Sequence, residues 1–506
     1  MNKKALGVIF SYILLVVDIF VGLWFVPHLL KALGQDEFGL YKLLNSTASY
    51  LAVLDFGLGG TITRYLVKYK TEGDLQKQEN FMAMGLIIYA ILALATMAVS
   101  FVVTLIIPIM YKASVPADRM GDAQLIFMIM SLTHALTLFS HAYTGMFDAH
   151  ERFAYTKGSN IVKILLRVGL IVFGLRVFKS AMLVAAVDCL LAFGLLMVHV
   201  LYGRIGVRFK IRLHKWDKGL AKEALVFTSA ILIQSIVNQF NTNVANVVLG
   251  IFSTTAVIAM YALVLQVYNM YSSLSTAISS VYLPSISSAV FKGADDETVT
   301  QKVIEPSRIQ LVILLLAASG FILFGRDFVT LWVGPGYEMV YVLTCVLMVA
   351  ALMNLSQNTI TSVLKAKNKL HGKSLILAIS TAVNFGLTLL LVPQLDALGA
   401  VIGSCFSLVF GYGLALNVYY HKVIHINMFT YYKKTYAGIV PATLLCMPIG
   451  YLIGWALPLQ GWVGFLAEAA CYAVVFAAGM YLLGLNKSEK ALVHKVLAKI
   501  GIGKRK

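Results

Sequence analysis

Charge is what this chain of 506 residues has least of: Asp, Glu, Lys and Arg together make up 13% of it, against roughly 25% in a soluble domain. That scarcity excludes an ordinary water-soluble fold. Cysteine is also sparse. Cys189, Cys345, Cys405, Cys446 and Cys471 all fall inside apolar stretches, whereas a disulfide framework needs paired, exposed cysteines in an oxidising setting. The chain has no GxxxxGK[ST] loop, which leaves it without a built-in ATP engine, and no GxSxG elbow. No Cys/His cluster has metal-ligand spacing, and no cofactor is implied. Long polar gaps are missing too. The longest on the sparsely charged side is Lys112–Gly121, and the largest on the other, Arg204–Leu220, has room for a short surface helix but no domain. A membrane-embedded glycan polymerase or ligase, which needs a sizeable external loop, is therefore a poor fit.

What the chain has is apolar length. Hydrophobic residues make up 59% of it, and about 20 in a row cross a bilayer core. Fourteen candidate helices read out at 6–30, 38–67, 81–111, 122–147, 159–177, 180–203, 222–250, 254–290, 306–333, 339–365, 374–393, 397–421, 435–457 and 461–485. The class is all-α and polytopic. Pro27, Pro284 and Pro393 fall near helix ends, and Gly57, Gly59 and Gly60 permit a bend or a close helix approach in the second span.

The net charge of +18 would suggest nucleic acid in a soluble protein. Its distribution says otherwise. Of 41 Lys and Arg, only Lys31, Lys112, Arg119, Arg176, Lys179 and Arg326 fall in one set of alternate gaps, and Lys42 and Arg167 lie inside spans. All the rest, Lys163 and Arg308 included, count with the other set. By the positive-inside rule both termini are cytoplasmic, and the basic charge attracts anionic lipid headgroups. The first span is a retained signal-anchor. The tail, 486–506, sets Ala491, Leu492, Val493, Val496, Leu497 and Ile500 on one face among lysines, a basic amphipathic segment that lies along the headgroups.

A repeat organises the rest. Leu33-Gly34 and Leu249-Gly250 close the first and seventh spans; Phe147–Phe153 and Leu364–Leu370 follow the fourth and tenth at nearly the same offset. The organisation expected is a six-helix half at 1–203, a basic linker at 204–221, a second half at 222–421, an appended pair at 422–485 and the tail.

Ionisable groups at membrane depth are costly and face a cavity or a partner. The first half holds Asp18, Lys42, Asp55, Arg167 and Asp188, with His134 and His141 seven apart on one helix face. Arg167 fits phosphate as a permanent cation with a forked donor set; equally, it can pair with Asp188 or Asp18. Asp18, Asp55 and Asp188 are either coupling sites for H+ or Na+ or counter-ions to the cations, and the histidines either bind ligand or stay buried and hydrogen-bonded. The second half is polar without charge: Gln234, Asn238 and Asn241 share one face of the seventh span, Asn269 sits on the eighth, and Asn354, Gln357 and Asn358 end the tenth. Some of these glue helices together; six carboxamides on the seventh span also suggest a wet, sugar-compatible lining.

The segment Leu33-Gly34-Gln35-Asp36-Glu37-Phe38-Gly39-Leu40-Tyr41, followed by Tyr50-Leu51-Ala52-Val53-Leu54-Asp55-Phe56-Gly57-Leu58-Gly59 and Arg64, resembles the N-terminal signature of bacterial polysaccharide flippases. These are the O-antigen and capsule repeat-unit exporters of the multidrug/oligosaccharidyl-lipid/polysaccharide superfamily. The resemblance implies two six-helix lobes in a V around a central cavity in the bacterial inner membrane. It further implies an undecaprenyl-pyrophosphate-linked oligosaccharide as cargo, an ion gradient as drive, biosynthetic enzymes as partners, and Arg167 and Lys42 as the cations for phosphate. The extra helix pair resembles that of fourteen-helix lipid II flippases, where it can cradle a lipid tail. The rival expectation is a cation-coupled drug antiporter of the same superfamily, with Asp18 and Asp55 essential and Arg167 dispensable.

Overall fold

A computed structural model describes the backbone of residues 3–55, 57–456, 461–491 and 494, and their side chains except at 3–9, 12, 15, 218, 220–234 and 238. Among the described residues every regular element is helical. Ten helical stretches among the described residues are long and apolar enough to cross a membrane. Large apolar side chains stand exposed along them, Leu94, Ile109, Val463 and Trp455 each by more than 70%, as lipid in place of water permits. The protein is a multi-pass membrane protein. Its chain forms two compact units, Met1–Ala262 with Leu387–Ala400, and Leu263–Gly386 with Val401–Lys506.

Unit 1 holds α1 (Lys3–Leu33), α2 (Gln35–Ser49), α3 (Leu58–Thr71), α4 (Leu75–Met110), α5 (Met120–Ala149), α6 (Phe153–Gly174), α7 (Ala181–Ile205), α8 (Lys218–Phe252) and the start of α9 (Thr255–Phe291). Polar side chains set where helices begin. Asp74 Oδ1 accepts the Lys77 N–H at 2.9 Å and opens α4, a bond that holds this exposed carboxyl below its usual range. Ser180 does the same for α7 through the Met182 N–H, at 3.2 Å.

The second predicted span, 38–67, is broken. After α2 the chain makes a 3₁₀ turn over Tyr50–Asp55, and Gly57 takes φ 67° before α3 starts. That left-handed geometry is cheap only for glycine. Two residues on, Gly59 serves the close approach: a Cβ on Gly145 of α5 would lie 2.5 Å from the Gly59 carbonyl, and Thr63 Oγ1 donates to the Gly145 carbonyl at 3.0 Å. Around this contact Ile62, Tyr65, Phe81, Met82, Met146 and Phe147 form a core. The basic linker does not make the short helix for which it had room. It runs irregularly from Gly206 to Asp217, and Asn80 straps it down, accepting the His214 and Lys215 N–H groups at 2.8 and 2.9 Å and donating to the Lys215 carbonyl at 2.8 Å.

One end of unit 1 is sealed where α2 meets the α8–α9 turn. Thr255 Oγ1 donates to Asp36 at 2.7 Å, Asn246 to Ser46 Oγ at 2.9 Å, and Ser114 to the Gly250 carbonyl at 2.7 Å. Gly39 lies so close to the Thr255 backbone that no Cβ fits. Arg119 pairs with Glu37, whose other oxygen accepts the Ala181 N–H at 2.8 Å.

Unit 2 holds the rest of α9, then α10 (Asp296–Val333), α11 (Glu338–Ser356), α12 (Ile360–Ala366), the two ends of α13 (Leu370–Phe406), whose middle, Leu387–Ala400, belongs to unit 1, a π-helical stretch Ser407–Ala415, α14 (Leu416–Val423), α15 (Met428–Tyr436), α16 (Ile439–Ala456) and α17 (Gly461–Gly479). α13 is two helices folded back on each other. Past Pro393, Asp396 sits at φ 48°, ψ −130°, and a Cβ on Gly399 would lie 2.6 Å from the Leu391 backbone. The gap predicted between 374–393 and 397–421 falls at this fold.

The turn after α5 recurs after α12. Arg152 N–H donates to the Phe147 carbonyl at 2.9 Å and Lys369 N–H to that of Leu364 at 2.9 Å, while Glu151 and Asn368 take φ 56° and 53°. Each of these residues is 217 positions from its counterpart. The other sequence match is not repeated as structure: Gly34 ends α1 at φ 80°, whereas α8 runs through Gly250 to Phe252.

Arg308, counted from sequence among the charges of a gap, is only 5% exposed. Its Nε and Nη2 take Glu489 at 2.5 and 3.0 Å, Nη1 the Lys434 carbonyl at 2.6 Å, and Nη2 the Gly484 carbonyl at 2.7 Å. One guanidinium thus ties α10 to the end of α15, to the chain after α17 and to the start of the tail. The pair read as an appendix packs into this unit's core, where Tyr472 donates to Ser319 at 2.7 Å and Phe476, Cys446 and Met480 meet Leu311 and Phe324. Most of the amphipathic tail, including Leu492, Val493, Val496, Leu497 and Ile500, lies outside the described residues.

Candidate functional site

The site is in unit 1 and begins with where α6 starts. The helix opens at Phe153, six residues before the predicted 159, so Lys163 stands in its third turn. Asn160, Lys163 and Arg167, spaced three and four apart, share one face. With Asp18 of α1, Tyr41 and Asn45 of α2, Thr133, His134 and Thr137 of α5 and Asp188 of α7, they line a cavity of about 520 Å³.

Arg167 is held like a fork. Its Nε meets Asp188 Oδ1 at 2.5 Å, and its Nη2 meets Oδ2 and the Tyr41 hydroxyl, each at 3.0 Å. The guanidinium also stands 5.5 Å from the Phe25 ring centroid. Of the two partners the sequence offered, the structure selects Asp188, and Asp18 is left on the cavity wall without an ion pair among the described residues. A bidentate pair fixes geometry as well as charge, and a guanidinium has five N–H donors, more than these contacts use.

A second recess of about 310 Å³ shares His134 and Thr137 with the first and is completed by Asp55, His141, Ser235 and Gln239 among others. Asp55 ends the 3₁₀ turn. There it accepts the Tyr89 hydroxyl at 2.9 Å and faces His141 Nδ1 at 3.2 Å. Its partners are thus a histidine and a tyrosine, neither Arg167 nor Lys42. Gln239 is anchored by donating to the Ser49 carbonyl. Lys42 lines neither space: its Nζ sits 5.3 Å from the Phe38 ring centroid and 6.0 Å from that of Tyr41.

The carboxamides of the later spans are differently placed. Gln357 is buried and donates to the Tyr432 hydroxyl at 2.5 Å, which also receives Asn417 at 2.6 Å. Asn354 and Asn358 flank the α11–α12 break, half-buried, and Asn269 is exposed. Asn241 is engaged in an interaction of its own. Gln234 and Asn238 have side chains outside the described residues. Among the described residues no group of His, Cys, Asp and Glu could hold a metal ion.

Lys163, Tyr41, Asn45, Thr133, Thr137 and Asn160 are wall residues the sequence reading passed over. Helical spacing was the available signal. Tyr41 and Asn45 are four apart, and Thr133, Thr137 and His141 step by four, but Lys163, near the start of its predicted span, was counted with the gap charges.

With this geometry in view, comparison with solved structures defines the class. The chain is similar to the lipid II flippase MurJ in an inward closed conformation, with a TM-score of 0.75 and 13% identity over 94% of this chain and 98% of that one. It is also similar to an inward-facing multidrug resistance MATE transporter of the MOP superfamily, with a TM-score of 0.56 and 15% identity over 76% and 92%. The chain shares the fold of these two proteins. The family described as polysaccharide biosynthesis protein matches residues 7–290, more than half of the chain, and the chain belongs to it. It is similar over 496 residues, at 21% identity and covering 94% of this chain and 95% of the relative, to the uncharacterized membrane protein EpsK of Bacillus subtilis (strain 168).

Proposed function

We propose that the protein is a flippase, without covalent chemistry, that carries an undecaprenyl-pyrophosphate-linked oligosaccharide from the cytoplasmic to the outer leaflet of the bacterial inner membrane. The observation that carries this reading is a charged, hydroxyl- and amide-lined cavity inside a family of polysaccharide biosynthesis proteins. The barrier to be overcome is electrostatic. A glycan and a pyrophosphate are penalised by several kcal/mol for each unpaired group in hydrocarbon. Asn45, Thr133, Thr137 and Asn160 offer donors and acceptors to sugar hydroxyls, and the donors Arg167 keeps in reserve suit phosphate oxygens.

The topology we assign is fourteen spans with both termini cytoplasmic, in halves at 1–203 and 222–421. It puts the sealed α2/α8–α9 end outside. Opening that seal while the inner side closes is the alternating-access step. Asp18 and the Asp55–His141 pair are the candidate coupling groups, since each can exchange an ion with the cavity.

The test is flipping of a fluorescent undecaprenyl-pyrophosphate oligosaccharide in proteoliposomes under a proton or a sodium gradient, with wild type, Arg167→Ala and Asp18→Asn. Transport by wild type, lost in folded Arg167→Ala, is the expected result. No flipping under either gradient, alongside export of a cationic dye, would replace the reading with a drug antiporter.

A further inference from the structure

Behind the polar cavity, on the outer face of α6, lies a groove of another kind. It measures about 700 Å³ and runs between α1, α6 and α7, walled by Phe10, Ile161, Val162, Leu166, Leu191 and Val198. Val162, Leu166 and Val198 are about half exposed, so the groove opens on the surface that lipid covers. Its size falls in the range of sites that enclose a small organic ligand. Lys163 is the residue that lines both spaces. It makes no ion pair among the described residues, because its nearby carboxylate, Asp188, is taken by Arg167. An unpaired ammonium at membrane depth costs a few kcal/mol, a cost that a bound anion would offset.

The groove is kept open by glycine. Gly158 and Gly194 face it from α6 and α7. A Cβ at Gly194 would meet nothing within 4 Å, so no close contact demands glycine there, although glycine costs a helix interior about 1 kcal/mol relative to alanine.

We infer that this groove holds the prenyl chain of the cargo lipid and that Lys163, at the wall between groove and cavity, binds the phosphate next to that chain. This rests on the flippase reading and locates the junction of tail and headgroup within it. One end of such a lipid is apolar and unbranched by charge; the other begins with a phosphate and continues into sugar. The order met along this wall, apolar groove, then ammonium, then amide- and hydroxyl-lined cavity, is the order of groups in that molecule. An ordinary membrane phospholipid would also satisfy the groove and the ammonium, but its small headgroup would leave the cavity unused.

The probe is undecaprenyl pyrophosphate carrying a diazirine on its terminal isoprene, bound to the full chain in nanodiscs and mapped by mass spectrometry, with affinity measured in parallel. Cross-links are expected at α6 and α7 residues of the groove. Lys163→Gln should weaken binding by roughly tenfold or more, the size of one lost charge-assisted hydrogen bond, and Lys163→Arg should restore most of it. Gly194→Phe, which fills the groove without striking the backbone, should weaken binding to a similar degree and shift the cross-links elsewhere. Wild-type flipping with Lys163→Gln and Gly194→Phe both binding normally would overturn this inference and leave the flippase reading intact. Equal labelling of the groove by a diazirine phosphatidylglycerol that excess undecaprenyl pyrophosphate does not displace would also overturn it. No binding and no flipping by wild type would overturn both.

Discussion

Unit 1 and unit 2 each place polar groups at membrane depth, and they spend them differently. In unit 1 the polar side chains converge on open space: Asp18, Lys163, His134 and the Arg167–Asp188 pair all wall one cavity. In unit 2 they are consumed by one another. Gln310 donates to the Ser275 carbonyl at 2.9 Å and accepts from Thr359 at 3.0 Å, Gln357 and Asn417 converge on Tyr432, and Ser356 meets the Tyr436 hydroxyl at 2.6 Å. Both units break a span to do this. Unit 1 breaks at Tyr50–Gly57, which places Asp55 at its recess; unit 2 breaks at Gln357–Thr359, where Gln357 turns to the Tyr432 hydroxyl and Thr359 to Gln310. A polar residue in a span therefore reports a cavity only when its neighbours leave it something to face.

The sharpest way to break this contrast is at two arginines, Arg167 on the cavity wall and the buried Arg308. Arg167→Ala leaves Asp188 on the cavity wall without its cation, which should lower stability, and flipping should fall to background. If Arg167 serves transport as well as packing, the double variant Arg167→Ala/Asp188→Ala regains thermal stability in detergent but not flipping. Arg308→Ala, which strands Glu489 and several carbonyls, should destabilise by about 3–5 kcal/mol. Its flipping per folded molecule should stay near wild type. Loss of flipping in folded Arg308→Ala would show that unit 2 is no mere scaffold.

Smaller effects sharpen the comparison. Gly145→Ala pushes a methyl against the Gly59 backbone, and overpacking of this kind costs about 1–3 kcal/mol. Because Gly59 sits two residues beyond the left-handed Gly57, cysteine labelling at position 55 or 141 should change along with the melting temperature. Gln357→Leu should be the mildest, about 1–3 kcal/mol for a buried hydroxyl that loses one partner, since Asn417 still reaches Tyr432. Its flipping rate should change less than twofold, whereas a cavity-lining role would lower it much more.

Much of the architecture was legible in order along the chain. Apolar runs and proline at 393 located the apolar spans, because hydrocarbon admits few backbone solutions besides the helix, while the glycine cluster after Asp55 allowed a bend inside a span that was read as continuous. The Phe147/Leu364 repeat was legible too, since both turns need the same left-handed residue, Glu151 and Asn368. The site was less so. Lys163 and Arg308 both stood near predicted ends and were counted as surface charge, yet one lines a cavity and the other is a buried knot. Gln357 looked like a lining residue and is a strut.

What the sequence determined by itself is what the bilayer dictates locally: the helical class, the apolar spans, the exclusion of a soluble domain and the family signature of the first two spans. Hydropathy and charge are sums over nearby residues, and the solvent reads them without knowing the fold. The tertiary structure alone decided which charge met which. Asp188 rather than Asp18 took Arg167, His141 and Tyr89 took Asp55, and Asp188, once engaged, left Lys163 unpaired between an apolar groove and a polar cavity. Those choices depend on distances of 2.5–3.2 Å between groups up to 86 residues apart, and at that range a pairing is fixed by packing and not by composition.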